Sequence, residues 1–127
     1  MKFTLPDEFE YAFYCHCSEC RKFSGSPFSA AAGISKEKLL FLSGTDHVKY
    51  FRKRQAANMA YCGLCGSSLF SDDFDKGLTH IRLGTLNEVP SLKPQMHVFV
   101  GSKAPWYKIT DNLPQFDSMP TRKINEA

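Results

Sequence analysis

The chain has 127 residues and a mass of 14.4 kDa, which fits one domain and leaves little room for a second. Hydrophobic residues make up 43% and charged residues 23%, proportions of a globular protein that argue against a wholly disordered chain. The net charge of +3, from 16 basic and 13 acidic residues, is too small to indicate nucleic-acid binding by itself.

The predicted elements are short apolar runs separated by turn residues. In chain order, strands are predicted at residues 9–14, 28–34, 39–42, 48–52, 58–61, 68–71, 79–83 and 96–100. Single helical turns are predicted at residues 18–23 and 35–38, and a polar loop at residues 72–77. No segment shows three turns of amphipathic helix, so the sequence predicts a mainly β protein.

The C-terminal part is predicted to be less regular. After Trp106, two prolines predict an extended arm, and residues 117–127 are predicted to be a mobile tail. We therefore expect a single domain over residues 1–127 with its core within residues 9–116.

No targeting or membrane-spanning segment is predicted. No run approaches the roughly 20 apolar residues that cross a bilayer. Residues 1–7 lack the apolar segment of a secretory signal. We therefore predict a cytoplasmic protein with no membrane partner.

Five cysteines form two tight clusters, at residues 15–20 and 62–65. An odd number cannot pair fully within one chain, and a cytoplasmic chain keeps its thiols reduced. Free cysteines can also be small buried hydrophobic residues, but that role does not explain the C-x-C-x-x-C and C-x-x-C-G spacings. The spacings favour metal binding, with zinc as the predicted ion.

The second cluster has the pattern of a zinc knuckle. Cys62 and Cys65 are two residues apart, and Gly63 and Gly66 let the backbone N–H groups of a tight turn point at the sulfurs. A redox pair is the alternative interpretation. Redox C-x-x-C motifs usually open a helix, whereas a strand is predicted from residue 68, so the knuckle is favoured.

The first cluster can bind one face of a zinc ion through Cys15, Cys17 and Cys20. Structural zinc sites have four protein ligands, whereas catalytic sites usually have three and an open position. These three cysteines are therefore candidate catalytic residues as well as candidate ligands. Alternatively, one of them joins Cys62 and Cys65 in a single closed structural site, and the spacing leaves both arrangements open.

The four histidines are not predicted to be principal ligands. In an extended Cys-His-Cys stretch, the His16 side chain points away from the flanking sulfurs, although ligation or a role as a proton shuttle stays open. The other three, His47, His80 and His97, are interpreted as ordinary strand or turn residues.

Several motifs follow one another in fixed order: CHCSECRK at 15–22 followed by SG at 24–25, YCGLCGSSL at 61–69, LGTLN at 83–87, HVFV at 97–100, KAPW at 103–106 and DNLPQF at 111–116. In this order they resemble the glutathione-dependent formaldehyde-activating enzyme family, which includes centromere protein V. The resemblance covers about residues 9–116.

The resemblance implies a small, all-β, tent-like fold with two zinc ions. It implies that Cys15, Cys17 and Cys20 bind the reactive zinc, and that Cys62 and Cys65 supply half of a structural site. In the family, a Cys-x-Cys strand near the N-terminus supplies the other half, whereas this chain has no cysteine before Cys15. We therefore expect one or two zinc ions. A homodimer is also expected, because core packing or association must offset a missing structural ion.

Two functions follow. The resemblance implies a zinc-dependent carbon–sulfur lyase, similar to S-(hydroxymethyl)glutathione synthase, that binds a small thiol such as glutathione and acts on its aldehyde adduct. Arg21 and Lys22 would hold the substrate's carboxylates, or belong to a solvated turn. Trp106 would form a wall of the pocket, although a position in the core is favoured. His16 or Glu19 would protonate the alkoxide.

The alternative is a non-catalytic zinc-binding scaffold. It would contact nucleic acid or protein through the basic run at residues 49–54. Such a run is more often a solvated strand face, so nucleic acid is the less favoured partner.

Overall fold

The computed structural model describes residues 1–54, 57–73 and 77–120, with the backbone alone for residues 52–54 and 73. Its strands within these ranges are β1 Lys2–Thr4, β2 Tyr11–Cys15, β3 Ser29–Ser35, β4 Leu40–Ser43, β5 Val48–Arg54, β6 Ala57–Cys62, β7 Ser68–Asp73, β8 Leu78–Arg82 and β9 His97–Val98. One helix, α1 Ser18–Ser24, and short 3-10 turns connect them. The predicted mainly β, single-domain class is confirmed.

Seven of the strands form one sheet in the order β5-β6-β7-β8-β3-β2-β9. Neighbouring strands are antiparallel except β2 and β9, which are parallel. The remaining two strands, β1 and β4, form a separate antiparallel pair. No helix within the described ranges is long and apolar enough to cross a membrane.

Three sequence predictions need correction. The first is β1, which was not predicted: it is only three residues long and is stabilised by pairing with β4 rather than by its own pattern. The second is the loop at residues 72–77, because Asp72 and Asp73 extend β7. The buried Asp72 carboxylate accepts a hydrogen bond from Thr79 Oγ1 at 2.8 Å, so the strand tolerates an acid there. Residues 74–76 lie outside the described ranges.

The third correction concerns residues 96–100, where the strand is limited to β9. Phe99 has a positive φ of 57°, and a 3-10 turn follows at Val100–Ser102. A left-handed residue ends strand pairing. The C-terminal arm nevertheless returns to β9, since the His97 N–H donates to Pro114 O and the Phe116 N–H to His97 O, both at 2.9 Å. Of the predicted tail, residues 121–127 lie outside the described residues.

The buried residues form two clusters on either side of the middle strands. The first contains Phe13, Cys15, Cys17, Cys20, Ala31, Met96 and Val98. The second contains Ile34, Ala60, Cys62, Leu69, Phe70 and Ile81. The two groups of cysteines are therefore packed into different parts of the core.

Candidate metal centre

The first cysteine cluster lies where β2 turns into α1. Cys15 is the last residue of β2, Cys17 is the N-cap of α1, and Cys20 lies in its first turn. The Cys20 N–H donates to Cys17 Sγ at 3.2 Å, so this sulfur takes the place of the usual capping oxygen. The helix ends after seven residues at Gly25, whose left-handed conformation and N–H to Arg21 O form a C-cap.

Hydrogen bonds from neighbouring strands fix α1 in place. Ser29 Oγ on β3 donates to Cys20 O at 3.1 Å, and Ser68 Oγ on β7 donates to Phe23 O at 2.7 Å. The bend that carries the cysteines is therefore attached to the sheet on two sides.

The three sulfurs of Cys15, Cys17 and Cys20 all lie within 4.8 Å of one another. Each residue is 2–4% exposed. Two sulfurs on one tetrahedral zinc are about 3.8 Å apart, given Zn–S bonds of about 2.3 Å. The group is thus close to the geometry that a zinc ion requires.

The chemistry of the donor set also fits a cation. Hydrogen bonding to the Cys17 and Cys20 sulfurs, with burial, raises the pKa of Cys15 far above its ordinary value. Three crowded thiols resist losing their protons unless a positive charge is added between them. A divalent metal ion supplies that charge and binds the thiolate form. The residues therefore fit the zinc that the resemblance implies.

Among the described residues, the group has three side-chain donors and no fourth. Within the described part of the chain, no further His, Cys, Asp or Glu offers a ligand atom to it, and His16 is not a member. Cys62 and Cys65 are also not members, so the geometry does not favour the single shared structural site. Three protein ligands with an open fourth position is the pattern of a catalytic zinc site.

The second cysteine pair lies in the turn between β6 and β7. Cys62 is buried and Cys65 is exposed. The Gly66 N–H donates to Cys62 O at 2.7 Å, and the Cys62 N–H donates to Ser67 O at 2.8 Å. Backbone hydrogen bonds from Cys65 and Leu64 lower the pKa of the Cys62 thiol. Metal binding by this pair as a zinc knuckle stays a prediction. The described residues bring it no third side-chain ligand.

Behind the first cluster, two histidines and an aspartate form a hydrogen-bonded chain. His16 Nε2 lies 2.8 Å from His97 Nδ1, and His97 Nε2 lies 3.0 Å from Asp111 Oδ2. Both rings are buried, whereas the Asp111 side chain is 45% exposed. Phe28 and Tyr107 pack against the His16 ring. His97 is therefore part of a buried polar network as well as a strand residue.

Asp111 is the acceptor at the end of this hydrogen-bonded group, and it indicates which ring nitrogens of the two histidines carry protons. The hydrogen bond from His97 lowers the pKa of Asp111, so its carboxylate only accepts. His97 Nε2 then donates to that carboxylate, which leaves His97 Nδ1 as the acceptor for His16 Nε2–H in the tautomer with one ring proton. Burial lowers the pKa of His16 to about 4, with smaller contributions from His97, Lys103 and Arg21. His16 is therefore neutral at neutral pH, with an unprotonated Nδ1.

His16 Nδ1 has no hydrogen-bond partner among the described residues. Buried polar atoms of this kind are rare and usually mark a site for a water or a ligand. Sequence reasoning considered His16 but missed His97 and Asp111 as its partners, because 81 residues separate the two histidines. Their only sequence signal was their presence in two of the family motifs.

The predicted substrate-binding residues differ in their burial and in the groups that they contact. Arg21 is half-buried in the last turn of α1, and its Nε donates to His16 O at 3.4 Å. Lys22 is exposed and lines a cavity of about 420 Å³ with Glu19, Phe51 and Tyr61. Trp106 is 71% exposed, so the favoured core position for Trp106 was wrong. It does not line that cavity, and its role as a pocket wall stays a prediction.

The basic run is only partly described. The backbone of residues 49–54 forms most of β5, at one edge of the seven-stranded sheet. The side chains of residues 52–54 lie outside the described residues, so the predicted nucleic-acid contact stays a prediction.

Comparison with known proteins gives a family and a fold. The chain is similar in structure to a Rhodobacter sphaeroides protein solved by structural genomics, with a TM-score of 0.56 and 20% sequence identity. That match covers 69% of this chain and 79% of the other. No curated protein matches the present chain. The family model described as glutathione-dependent formaldehyde-activating enzyme matches residues 1–102. The chain therefore belongs to the glutathione-dependent formaldehyde-activating enzyme family.

Proposed function

We propose that this protein is a zinc-dependent carbon–sulfur lyase that binds a small thiol such as glutathione and acts on the thiol's aldehyde adduct. The observation that carries the proposal is the buried group of three sulfurs, Cys15, Cys17 and Cys20, to which no fourth side chain of the described residues is added. Family membership supports the relevance of glutathione.

The overall reaction is an addition and its reversal. The thiol sulfur forms a bond to the aldehyde carbon, the C=O π bond breaks, and the proton from sulfur ends on the oxygen as a hydroxyl group. No electron acceptor is needed, because the thiol and the aldehyde are the only reactants. Zinc, when bound, supplies a positive charge that lowers the pKa of a thiol and favours its thiolate.

The surrounding residues would hold and orient the thiol compound. Arg21 and Lys22 lie at the end of α1 and would attract the carboxylates of a glutathione-like peptide. Lys22 already lines the 420 Å³ cavity, which is a suitable size for part of a small peptide. The exposed Trp106 ring would add apolar contact.

A proton must also move during the reaction. Glu19 lies in the first turn of α1, between two of the candidate ligands, and lines the cavity beside Lys22. We assign Glu19 as the first candidate for protonating the alkoxide, because it meets the cavity. His16 is fully buried and is the second candidate.

We further propose that the protein is cytoplasmic. It would bind one zinc ion at the first cluster, and a second at Cys62 and Cys65 when further ligands are supplied. We also propose that the protein is a homodimer, and sedimentation of the metal-loaded chain would test this.

The test is the rate at which glutathione and formaldehyde exchange with their adduct, measured by NMR magnetisation transfer. This method is needed because the adduct also forms without a catalyst. We expect the zinc-loaded chain to accelerate exchange at least about tenfold over buffer, an effect of about 1.4 kcal/mol on the barrier. Cys17→Ser should abolish the acceleration.

The matched control is Cys65→Ser, which removes an exposed thiol outside the three-sulfur group. It should keep the acceleration. Exchange that is no faster than in buffer, while zinc is bound, would overturn the enzymatic proposal in favour of a non-catalytic scaffold.

A further inference from the structure

One buried cation belongs to the half of the core that holds the first cysteine cluster, and no described carboxylate pairs with it. Arg82, the last residue of β8, is only 7% exposed. Its Nη1 donates to His80 O at 2.9 Å and to Ser71 Oγ at 3.4 Å, while its Nε has no hydrogen-bond partner among the described residues. None of the acidic side chains that the structure describes forms an ion pair with Arg82.

An arrangement of this kind needs an explanation, because a buried charge is costly unless it is paired. Two neutral acceptors do not compensate a guanidinium that has left water. The expected partner is an anion that forms nearby when the protein is in its working state.

The strand register places Arg82 on the same face of the sheet as Cys15. Arg82 is opposite Ala31 in the β3–β8 pair, and Ala31 is opposite Phe13 in the β2–β3 pair. Directly opposed residues share a face, and Cys15 follows Phe13 by two positions on that same face. Ala31 and Phe13 belong to the buried cluster that contains all three cysteines.

A second contact joins Arg82 to the helix that carries Cys20. The Arg82 guanidinium carbon lies 5.1 Å from the centre of the Phe23 ring, one turn along α1 from Cys20. Burial lowers the pKa of Arg82, and negative charge at Cys20, Cys15 and Cys17 would oppose that lowering. The guanidinium is therefore within the electrostatic reach of the candidate ligands.

We propose that Arg82 is the buried counter-charge of the metal centre formed by Cys15, Cys17 and Cys20. A divalent ion with three thiolates keeps one net negative charge, and one guanidinium neutralises it. Arg82 would act on the three ligands through its positive charge, and it contacts no substrate. This inference rests on the metal binding of the proposed function, and it is independent of which thiol or aldehyde reacts.

The pairing predicts opposite effects with and without metal. In the metal-free chain, Arg82 is a buried charge without an anion, so an apolar side chain of similar length is tolerated or stabilising. In the metal-loaded chain, the same replacement leaves the anionic centre without its partner and weakens metal binding. If Arg82 had only a packing role, its replacement would lower the zinc affinity and the stability of the metal-free chain together.

The experiment compares Arg82→Met and Arg82→Lys with the unchanged chain, using zinc alone as the probe. Zinc affinity is measured by competition with a chelator, and the stability of the metal-free chain by urea unfolding. Lys93→Met is the matched control, since it removes one exposed positive charge. We expect Arg82→Met to weaken zinc binding about 10- to 100-fold, as loss of an outer partner of a metal site does.

The remaining expectations separate charge from packing. Arg82→Lys should stay within about threefold of the unchanged chain, and Lys93→Met should not differ from it. The metal-free Arg82→Met chain should be as stable as the unchanged chain or more stable. Cobalt substitution adds a spectroscopic check, because loss of the guanidinium should shift the sulfur-to-cobalt charge-transfer band.

Two results would overturn the inference. One is zinc binding by Arg82→Met within twofold of the unchanged chain. The other is an equal loss of zinc affinity and metal-free stability in Arg82→Met and Arg82→Lys, which would indicate packing alone. Either result leaves the proposed function standing, whereas an unchanged chain that binds no zinc would overturn both.

Discussion

The two cysteine clusters of this chain have similar spacing but different surroundings. Cys15, Cys17 and Cys20 are all buried where a strand meets a helix, and their sulfurs converge within 4.8 Å. Cys62 and Cys65 lie in a hairpin turn, one buried and one exposed, and the described residues add no third ligand. The comparison teaches that a C-x-x-C pair positions two sulfurs locally, whereas the first cluster gains its third donor from the same bend.

Removal of the metal should produce the largest difference in stability between the two cysteine regions. We expect chelation to lower the melting temperature by about 10–20 °C, since a ligand at about 1,000 times its Kd stabilises by about 4 kcal/mol. Amide hydrogen exchange should increase in β2 and α1, whose bend holds the three ligands, and much less in β6 and β7. Equal increases in both regions would contradict an independent centre at residues 15–20.

Loss of His97 should produce the next largest effect. His97→Ala removes a buried ring that accepts from His16 and donates to Asp111, so it leaves both a cavity and a buried donor without a partner. We expect a loss of about 2–4 kcal/mol in the free energy of unfolding, measured in urea. His47→Ala, at a partly exposed turn, is the control and should cost far less. Equal losses of unfolding free energy in the two variants would show that the hydrogen-bonded group of His16, His97 and Asp111 adds no stability of its own.

The smallest effect should come from the knuckle turn. Gly66 has a φ of +80°, and no atom lies within 4 Å of the point that a Cβ would occupy, so Gly66→Ala tests backbone conformation alone. We expect a loss of about 1 kcal/mol in unfolding free energy, with zinc bound at the first cluster unchanged. Gly84→Ala is the matched control, because Gly84 also has open space but no positive φ. A loss of zinc from the first cluster in Gly66→Ala would show that the two regions are coupled.

Features that depend on residues close together in the sequence could be predicted. The cysteine spacings predicted that three sulfurs would share one bend, and the alternating strand patterns predicted most of the large sheet. Asp72 and Asp73 were assigned to a loop because acids are unfavourable in strands, but the Thr79 hydroxyl compensates Asp72 in the fold.

Long-range features could not be predicted in the same way. The meeting of His16 with His97, and the position of Arg82 on the same face as Cys15, both depend on strand order and register. The short β1 depends on its partner β4 for stability. None of these features has a periodic signal in the surrounding residues, so only the assembled sheet reveals them.

The central claim is that Cys15, Cys17 and Cys20 form a metal centre that is independent of Cys62 and Cys65. Elemental analysis of the purified chain beside its Cys17→Ser and Cys62→Ser variants tests it most directly. We predict that Cys17→Ser lacks one zinc ion that Cys62→Ser retains. Loss of the same single ion in both variants would contradict the claim and indicate one shared structural site.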